Sequence, residues 1–196
     1  MASMRVYLAG PDVFLPDPLA RAAALKAICA RHGLVGVSPL DTLEGGDLPE
    51  WSSLDEAYRI ALRNEAHIAG CAALVANLTP FRGPSADPGT VFELGYMRAL
   101  GRPVFGWSNC AEPFAARSRA FCAGAAAQPD GTWRDAAAML LEDFPGMADN
   151  LMIDGAIAAS GGRLVTRATP RAAAWTDLTA FQACIELVGR ALDPPE

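Results

Sequence analysis

Residues 72–106, AALVANLTPFRGPSADPGTVFELGYMRALGRPVFG, contain the pattern that decides the fold. The apolar run over residues 72–78 has no helical period, which is typical of a buried parallel strand. A turn rich in proline and glycine follows, and apolar residues then recur at helical spacing over 92–101. Residues 104–107 predict the next strand. The stretch is therefore a strand, a loop, a helix and a strand, an arrangement in which ligands bind at the carboxyl ends of the strands.

Strands and helices alternate in the same way before this stretch. The sequence predicts strands at 5–9 and 34–37, a helix at 17–32, and another helix from residue 53 or 54 to residue 70. This order predicts a parallel sheet covered by helices on both faces and connected by right-handed crossovers. The expected fold class is therefore α/β, with a doubly wound parallel sheet of the flavodoxin or Rossmann type.

The segment from about residue 110 to 144 interrupts the alternation. It has Ala-rich helical patterns at about 114–127 and 135–143, separated by the turn sequence Gln128-Pro129-Asp130-Gly131. Beyond this insert, residues 164–165 predict a fifth strand.

Length and composition favour one folded domain. With 196 residues the chain is long enough to bury a core, and its 52% hydrophobic and 19% charged residues argue against disorder. A terminal helix is predicted over about 175–192. We therefore expect a single domain over 1–196, with a helical insert and a C-terminal helix.

Several classes of function find no support in the residues. The net charge of −6 and the lack of a Lys/Arg cluster argue against nucleic-acid binding. The five cysteines are scattered and odd in number, which indicates reduced thiols, and the two histidines have no partner at zinc-ligand spacing.

No run of about 20 apolar residues and no signal-peptide pattern is present, so we expect no membrane association and a cytoplasmic location. The dinucleotide, P-loop and hydrolase-elbow motifs are missing, which leaves carboxylates as the candidates for chemistry on a small molecule.

Glu93 is the carboxylate that the decisive stretch places at the mouth of the sheet. Two interpretations of it are open. Thr90 and Glu93 fit the helix-opening pattern in which a hydroxyl and a carboxylate cap each other's backbone N–H groups. A carboxylate in the first helical turn is also kept ionised by the N–H groups and the dipole there, as a glycosyl-transferring nucleophile requires.

Four ordered motifs extend the pattern around Glu93. They are Tyr7-Leu8-Ala9-Gly10-Pro11, Asn77-Leu78-Thr79-Pro80-Phe81-Arg82-Gly83, Asp87-Pro88-Gly89-Thr90 with Phe92-Glu93-Leu94-Gly95-Tyr96, and Asn150-Leu151-Met152. Together they resemble the nucleoside 2-deoxyribosyltransferase family, over residues 5 to about 160. The insert and the residues after Val165 are not explained by this resemblance.

The resemblance implies three catalytic residues. Glu93 would be the nucleophile, Tyr7 would hydrogen-bond its carboxylate and hold it for attack, and Asp87 would face the nucleobase and manage the proton of the leaving nitrogen. The residues themselves leave alternatives open. Tyr7 also fits a core tyrosine, and Asp87 fits a helix N-cap ahead of Pro88.

The resemblance also implies a set of substrate-binding residues. Phe14 would lie beside the nucleobase, although it equally fits a loop residue that closes the core. An acid that the family sometimes has in the segment 63–65 is matched best by Asn64, which would leave the leaving-group proton to Asp87 or to water. The expected substrate-binding residues are Gly10, Pro11, Phe14, Asp41, Phe81, Arg82, Gly89 and Asn150.

Asn150 has a separate implication for assembly. In the family an asparagine at this motif comes from a neighbouring subunit and contacts sugar hydroxyls. The resemblance therefore implies a homo-oligomer, a dimer or a hexamer, with shared active sites. The spacing equally fits ordinary helix capping by Asp149 or Asn150.

The expected function is transfer of the 2-deoxyribosyl group of a 2′-deoxynucleoside to another purine or pyrimidine base, as in nucleotide salvage. The reaction would pass through a covalent glycosyl-Glu93 intermediate with retention, and it requires no metal or organic cofactor. One alternative is an N-glycoside hydrolase of a nucleoside or a nucleoside monophosphate, in which water takes the second step. Asp12 after the first strand disfavours a monophosphate, because its charge repels phosphate. The other alternative is a non-catalytic nucleoside-binding module.

Overall fold

The computed structural model describes residues 4–192, which form seven strands and six helices. In chain order these are β1 (Met4–Ala9), α1 (Pro18–Arg31), β2 (Leu34–Val37), α2 (Glu56–Ala69), β3 (Ala73–Asn77), α3 (Pro88–Ala99), β4 (Val104–Ser108), α4 (Phe114–Phe121), β5 (Ala126–Ala127), β6 (Trp133–Arg134), α5 (Leu151–Ala159), β7 (Leu164–Thr166) and α6 (Thr179–Leu192). Short 3-10 turns occupy Pro11–Phe14, Pro49–Trp51 and Arg171–Ala173.

Five of the strands form a parallel sheet in the order β2-β1-β3-β4-β7. The chain moves from β1 outward to β2, and then returns to the other side of β1 to form β3. The direction of winding therefore changes between β1 and β3. In such sheets the crevice for a ligand lies at the carboxyl ends of the two strands that flank this change. The topology confirms the predicted doubly wound α/β fold.

Helices cover both faces of the sheet, and the alternation of side chains along β1 decides which residue meets which helix. Val6 and Leu8 are buried with residues of α1 and α6 on one face. Tyr7 and Ala9 are buried with residues of α2, α3 and α5 on the other face. Since successive side chains of a strand point to opposite faces, Tyr7 necessarily faces the layer that contains α3, the helix of Glu93.

The beginning of α3 decides between the two capping patterns that the sequence leaves open. Asp87 is the N-cap residue, and its Oδ2 atom accepts hydrogen bonds from the Thr90 backbone N–H at 2.9 Å and from the Thr90 hydroxyl at 3.1 Å. Pro88 takes the first helical position, where its missing N–H has no cost. The reciprocal cap of Thr90 and Glu93 is therefore wrong, and the alternative in which Asp87 caps the helix ahead of Pro88 is confirmed, with the helix boundary three residues earlier. Glu93 lies in the second turn rather than the first.

The insert is only partly helical. The helix predicted at about 114–127 ends at Phe121, and the predicted turn at 128–131 instead connects the two strands of a hairpin, β5 and β6. The turn itself is confirmed, with Gly131 N–H donating to Gln128 O at 2.9 Å. The helix predicted at 135–143 is wrong. Asp135 Oδ1 accepts from the backbone N–H groups of Ala137 and Met139, both at 2.9 Å, and this local turn competes with helix formation.

The C-terminal part of the sheet agrees better with the sequence. The fifth strand of the sheet is confirmed as β7, and the terminal helix is confirmed, although α6 begins at Thr179 rather than 175. The later start has a local cause, since Asp177 Oδ1 accepts from the Thr179 backbone N–H at 2.7 Å and a 3-10 turn precedes it. The helix α5 is not among the elements that the sequence predicts.

All five cysteines are free thiols, as predicted, and three of them are buried. Within residues 4–192, no helix combines the length and the apolar character that crossing a bilayer would require.

Gly162, between α5 and β7, allows an unusually close backbone contact. A Cβ atom added to Gly162 would lie 1.7 Å from the carbonyl oxygen of Val104 in β4. The same segment is tied to β4 by Ser160, whose hydroxyl accepts from the Val104 N–H at 2.9 Å. Any other residue at Gly162 must therefore push β7 away from the neighbouring strand.

We expect Gly162→Ala to lower the free energy of unfolding by about 3 kcal/mol or more, because the clash involves backbone that cannot rotate away. Urea denaturation followed by circular dichroism measures this. Gly155→Ala is the matched control, since a Cβ there meets no atom within 4 Å on the exposed side of α5. It should be neutral or stabilising by about 0.5–1 kcal/mol through helix propensity. Equal stability of the two variants would contradict the close contact.

Candidate active site

The central contact of the candidate site joins β1 to α3. The Tyr7 hydroxyl donates a hydrogen bond to Glu93 Oε1 at 2.7 Å, across 86 residues of sequence. Tyr7 is fully buried, whereas Glu93 retains part of its surface. One carboxylate oxygen of Glu93 is therefore fixed by a phenol, and the structure records no hydrogen bond to the other among the described residues.

Burial sets the protonation behaviour of this pair. It raises the pKa of Glu93 to about 7, with a further upward contribution from the charge of Asp87, while the hydrogen bond from Tyr7 lowers it. The pKa of the Tyr7 hydroxyl is raised far above its ordinary value, first by burial and then by the Glu93 charge. Tyr7 thus remains a proton donor at every physiological pH. The expectation that the helix start keeps Glu93 ionised is wrong, since Glu93 lies beyond the first turn and desolvation dominates.

Asp87 lies close enough to Glu93 to influence its charge, but its carboxylate is used locally. One oxygen, Oδ2, accepts both hydrogen bonds from Thr90. Gly89 is in the same turn, and a Cβ there would lie 3.1 Å from Asp87 Oδ2. In this structure Asp87 is therefore the helix cap, with Oδ1 left as the oxygen that is not engaged by Thr90.

The loop after β1 is held by a buried ion pair. Asp12 Oδ1 accepts from Arg21 Nε at 2.7 Å, and Asp12 Oδ2 accepts from Asn77 Nδ2 at 2.9 Å. Gly10 passes close to the end of β3, since a Cβ on it would lie 2.7 Å from the Cβ of Asn77. The charge of Asp12, on which the argument against a monophosphate rests, is therefore paired with Arg21, and Asn77 donates to its other oxygen.

Aromatic residues from the loops after β1 and β3 meet beside Pro11. The rings of Phe14 and Phe81 stack with centroids 5.5 Å apart and an interplanar angle of 13°. The guanidinium of Arg82 lies over both rings, 4.6 Å from the centroid of Phe81 and 5.3 Å from that of Phe14. Arg82 has a φ of 56°, a left-handed conformation that is uncommon outside glycine. Phe14 remains 59% exposed, so it does not close the core.

Asp41 lies apart from this group, at the end of β2. Its carboxylate is bonded to the Lys26 ammonium and to the Ser38 backbone N–H, and its carbonyl oxygen is 3.0 Å from His67 Nε2. These contacts give Asp41 a structural role, and substrate binding by Asp41 stays a prediction. Asn64, on α2, has a buried side-chain oxygen without a hydrogen-bond partner in the described chain.

Asn150 is the N-cap of α5. Its Oδ1 atom accepts from Met152 N–H at 3.0 Å, and its Nδ2 group donates to Glu142 Oε2 at 2.6 Å. Both ends of the amide are therefore engaged within one chain, so the capping alternative describes this structure. The sharing of Asn150 between subunits stays a prediction.

Asp149 connects this helix start to the loop before α3. It is 1% exposed, and its carboxylate accepts hydrogen bonds from the Ser85 hydroxyl, the Ala86 N–H and the Asn150 N–H. Arg117 lies 3.8 Å away and donates to three backbone carbonyls around it. Burial raises the pKa of Asp149, against these hydrogen bonds. The residues just before Asp87 are thus fixed from the C-terminal half of the chain.

The model of the family described as Nucleoside 2-deoxyribosyltransferase matches residues 6–152, which is most of the chain and includes every residue of these contacts. The chain belongs to this family. An uncharacterised protein of Schizosaccharomyces pombe is 33% identical over 168 residues, or 80% of this chain and 78% of that protein.

Two solved structures are similar over nearly their whole length. A 2-desoxiribosyltransferase from Leishmania mexicana is 27% identical, with a TM-score of 0.59, and the match covers 93% of this chain and 97% of that one. A conserved protein from Enterococcus faecalis V583 is 20% identical, with a TM-score of 0.55, over 94% of this chain and 98% of that one, and it shows the fold alone. Family membership confirms the enzyme class that the four motifs indicate.

Two parts of the candidate site are not found by sequence reasoning. The buried pair of Arg117 and Asp149 joins positions 32 residues apart, and no local spacing indicates it. Nothing in the sequence indicates the contact of Asn150 with Glu142 either, because the sequence predicts a helix over 135–143. In both cases the partner lies in the insert, where the family motifs give no register.

The raised pKa of Glu93 predicts a dependence of stability on pH. The folded-state pKa of about 7 lies above the ordinary 4.5, so folding disfavours the ionised form. Wild-type stability should fall as the pH rises from about 4.5 to 7, because the unfolded chain releases this proton first. Glu93→Gln should match the wild type near pH 4 and be more stable above pH 7, by up to about 3 kcal/mol at about 1.4 kcal/mol per pKa unit.

Denaturant titrations of both proteins at pH 4, 6 and 8 measure this difference. Glu44→Gln changes an exposed glutamate and should show no such trend. A Glu93→Gln protein that loses stability relative to the wild type as the pH rises would show that the carboxylate is stabilised, rather than destabilised, by its surroundings.

Proposed function

We propose that this chain exchanges the base of a 2′-deoxynucleoside through a covalent 2-deoxyribosyl ester of Glu93. The observation that supports this most directly is the hydrogen bond of 2.7 Å from the Tyr7 hydroxyl to one Glu93 oxygen. It orients the carboxylate and leaves the second oxygen to attack. Partial desolvation keeps that oxygen more basic than an ordinary carboxylate, which increases its nucleophilicity once it is ionised.

The reaction has two balanced steps. In the first, a Glu93 oxygen forms a bond to the anomeric carbon while the bond from that carbon to the base nitrogen breaks, and the base leaves with a proton. In the second, a nitrogen of another base attacks the anomeric carbon from the vacated face, the ester bond breaks and Glu93 regains its charge, while the proton of that nitrogen passes to the group that protonated the first base. Two inversions retain the β configuration.

The leaving base needs a proton donor, and Asp87 is the candidate for this role. Its Oδ2 caps α3, and Oδ1 is not engaged by Thr90. We assign Asp87, directly or through a water molecule, to this transfer. The same position explains why the charge of Asp87 raises the pKa of Glu93, since the two carboxylates disfavour simultaneous ionisation.

The preference for a 2-deoxy donor sugar follows from the charge that develops in the transition state. A hydroxyl at C2′ withdraws electrons from the developing positive charge at the anomeric carbon and raises the barrier. A carboxylate nucleophile therefore attacks a 2-deoxy sugar more readily than the corresponding ribose. Phe14, which is stacked on Phe81 and largely exposed, is the surface that we assign to the nucleobase.

Incubation of the enzyme with deoxyinosine and adenine should yield deoxyadenosine and hypoxanthine, which chromatography separates. Glu93→Ala should reduce this transfer by several orders of magnitude, the scale lost with other covalent nucleophiles. Deoxyinosine without adenine distinguishes the alternatives, since a hydrolase releases hypoxanthine at an undiminished rate and a binding module releases none. Near-normal turnover by a folded Glu93→Ala protein would contradict the covalent mechanism.

The acidic limb of the pH profile should report the Tyr7 contact. For the wild type, kcat/KM should rise with pH to a plateau above about 7, because only ionised Glu93 attacks. Tyr7→Phe removes the hydrogen bond that lowers this pKa, so the limb should move to higher pH by about one unit or more. Tyr58→Phe, at a residue that is 65% exposed on α2, is the control and should leave the profile in place. A limb unmoved by Tyr7→Phe would mean that another group titrates.

A further inference from the structure

A cavity of ≈ 920 Å³ opens at the carboxyl edge of the sheet, where it is lined by residues that follow β1, β3 and β4. The residues that line it include Phe14, Phe81 and Arg82, and they do not include Tyr7, Asp87 or Glu93. Its volume is near the upper end of the range for small-molecule sites, about 300–1,000 Å³. It therefore has room for more than the base and sugar of a nucleoside.

The far wall of the cavity comes from the two parts of the chain that the family motifs leave unexplained. Glu112, Arg117 and Phe121 belong to the insert, and Arg171 and Trp175 belong to the segment between β7 and α6. Trp175 packs edge-on against Phe81, with centroids 5.9 Å apart and an interplanar angle of 83°. The insert and the tail thus complete an aromatic wall that begins at Phe14.

The charges on this wall are mostly positive. Three arginines line the cavity, with Glu112 as the one carboxylate among its described lining residues. Arg117 is buried and donates to the carbonyls of Pro84, Glu112 and Ala148, so its guanidinium is engaged. Arg82 and Arg171 make no ion pair or side-chain hydrogen bond with any residue in 4–192, although Arg82 lies over the two phenylalanine rings.

These two features together select the chemistry of a ligand. A planar ring gains dispersion and stacking energy on Phe14 and Trp175, and a phosphate gains charge-assisted hydrogen bonds from arginine guanidinium groups. A neutral nucleoside would use the rings and leave both free arginines without a partner. We propose that this cavity binds a nucleotide, with its base on the aromatic wall and its phosphate paired with Arg82 and Arg171.

The proposal does not depend on Glu93 as a nucleophile, because binding is measured separately from turnover. Titration calorimetry on the Glu93→Gln protein should give dAMP an affinity at least tenfold higher than that of deoxyadenosine, and inorganic phosphate alone should bind more weakly than dAMP. Since a hydrogen bond between charged groups is worth about a factor of ten or more, the double variant Arg82→Gln, Arg171→Gln should lose this preference. Added salt should lower the affinity for dAMP and leave the affinity for deoxyadenosine unchanged.

Arg190→Gln is the matched control, because that side chain is 73% exposed on α6 and is not among the cavity residues. It should keep the preference for dAMP. Equal affinities for dAMP and deoxyadenosine, or a preference that survives the loss of both Arg82 and Arg171, would overturn the proposal. So would inorganic phosphate that binds as tightly as dAMP, since the rings would then contribute nothing.

Two further arms distinguish the roles of the nucleotide. Release of adenine from dAMP by the wild type, lost in the double variant, identifies the nucleotide as a donor substrate. A change in the rate of deoxyinosine-to-adenine exchange on addition of AMP, also lost in the double variant, identifies it as an effector. If exchange is absent altogether while dAMP still binds through Arg82 and Arg171, the proposed function fails and the nucleotide site stands.

Discussion

The placement of one partly desolvated carboxylate against one phenol is the constraint on which the candidate site depends. Glu93 is costly to bury in its charged form, and the Tyr7 hydroxyl is the hydrogen-bond donor that the structure gives it. The contact requires Tyr7 to face α3, which the alternation along β1 ensures. It also requires α3 to begin at Pro88, with Asp87 as its cap, because a shift of one residue along a helix rotates a side chain by about 100°.

The start of α3 is in turn fixed from several directions. Asp87 and Pro88 set the first turn locally. Asp149 fixes the two preceding residues through the Ser85 hydroxyl and the Ala86 N–H, and Arg117 donates to the Pro84 carbonyl one residue earlier. A buried carboxylate that accepts several N–H and O–H groups is costly to disturb, since each donor would lose its partner. The loop before α3 is therefore held by several buried hydrogen bonds, although it lies at the edge of the sheet.

The sequence predicts the fold well where local signals agree with the tertiary structure. The strands and helices from 4 to 108 follow from apolar runs, helical spacing and Asp-Pro starts. The approach of Tyr7 to Glu93 is expected from the order of strands together with the family resemblance. The start of α3 is left open by the sequence, because two capping patterns, at Asp87 and at Thr90, overlap within four residues, and the structure shows the one at Asp87. The helix prediction for the second half of the insert fails for another reason. Alanine favours a helix there, but the side chain of Asp135 forms a turn with nearby N–H groups, and composition does not reveal that competition.

Charge is where the sequence and the folded chain differ most. A net charge of −6 suggests a surface that repels anions, and Asp12 beside Gly10 suggests the same for the mouth of the sheet. Folding changes both inferences. Asp12 is compensated by Arg21 and Asn77, so the carboxylate holds the loop and contributes little field outside it. The cavity beside it collects arginines from distant segments of an acidic chain. Because a field falls off within about a Debye length of 10 Å, these local groups, and not the sum over the chain, decide whether a phosphate is attracted to this edge of the sheet.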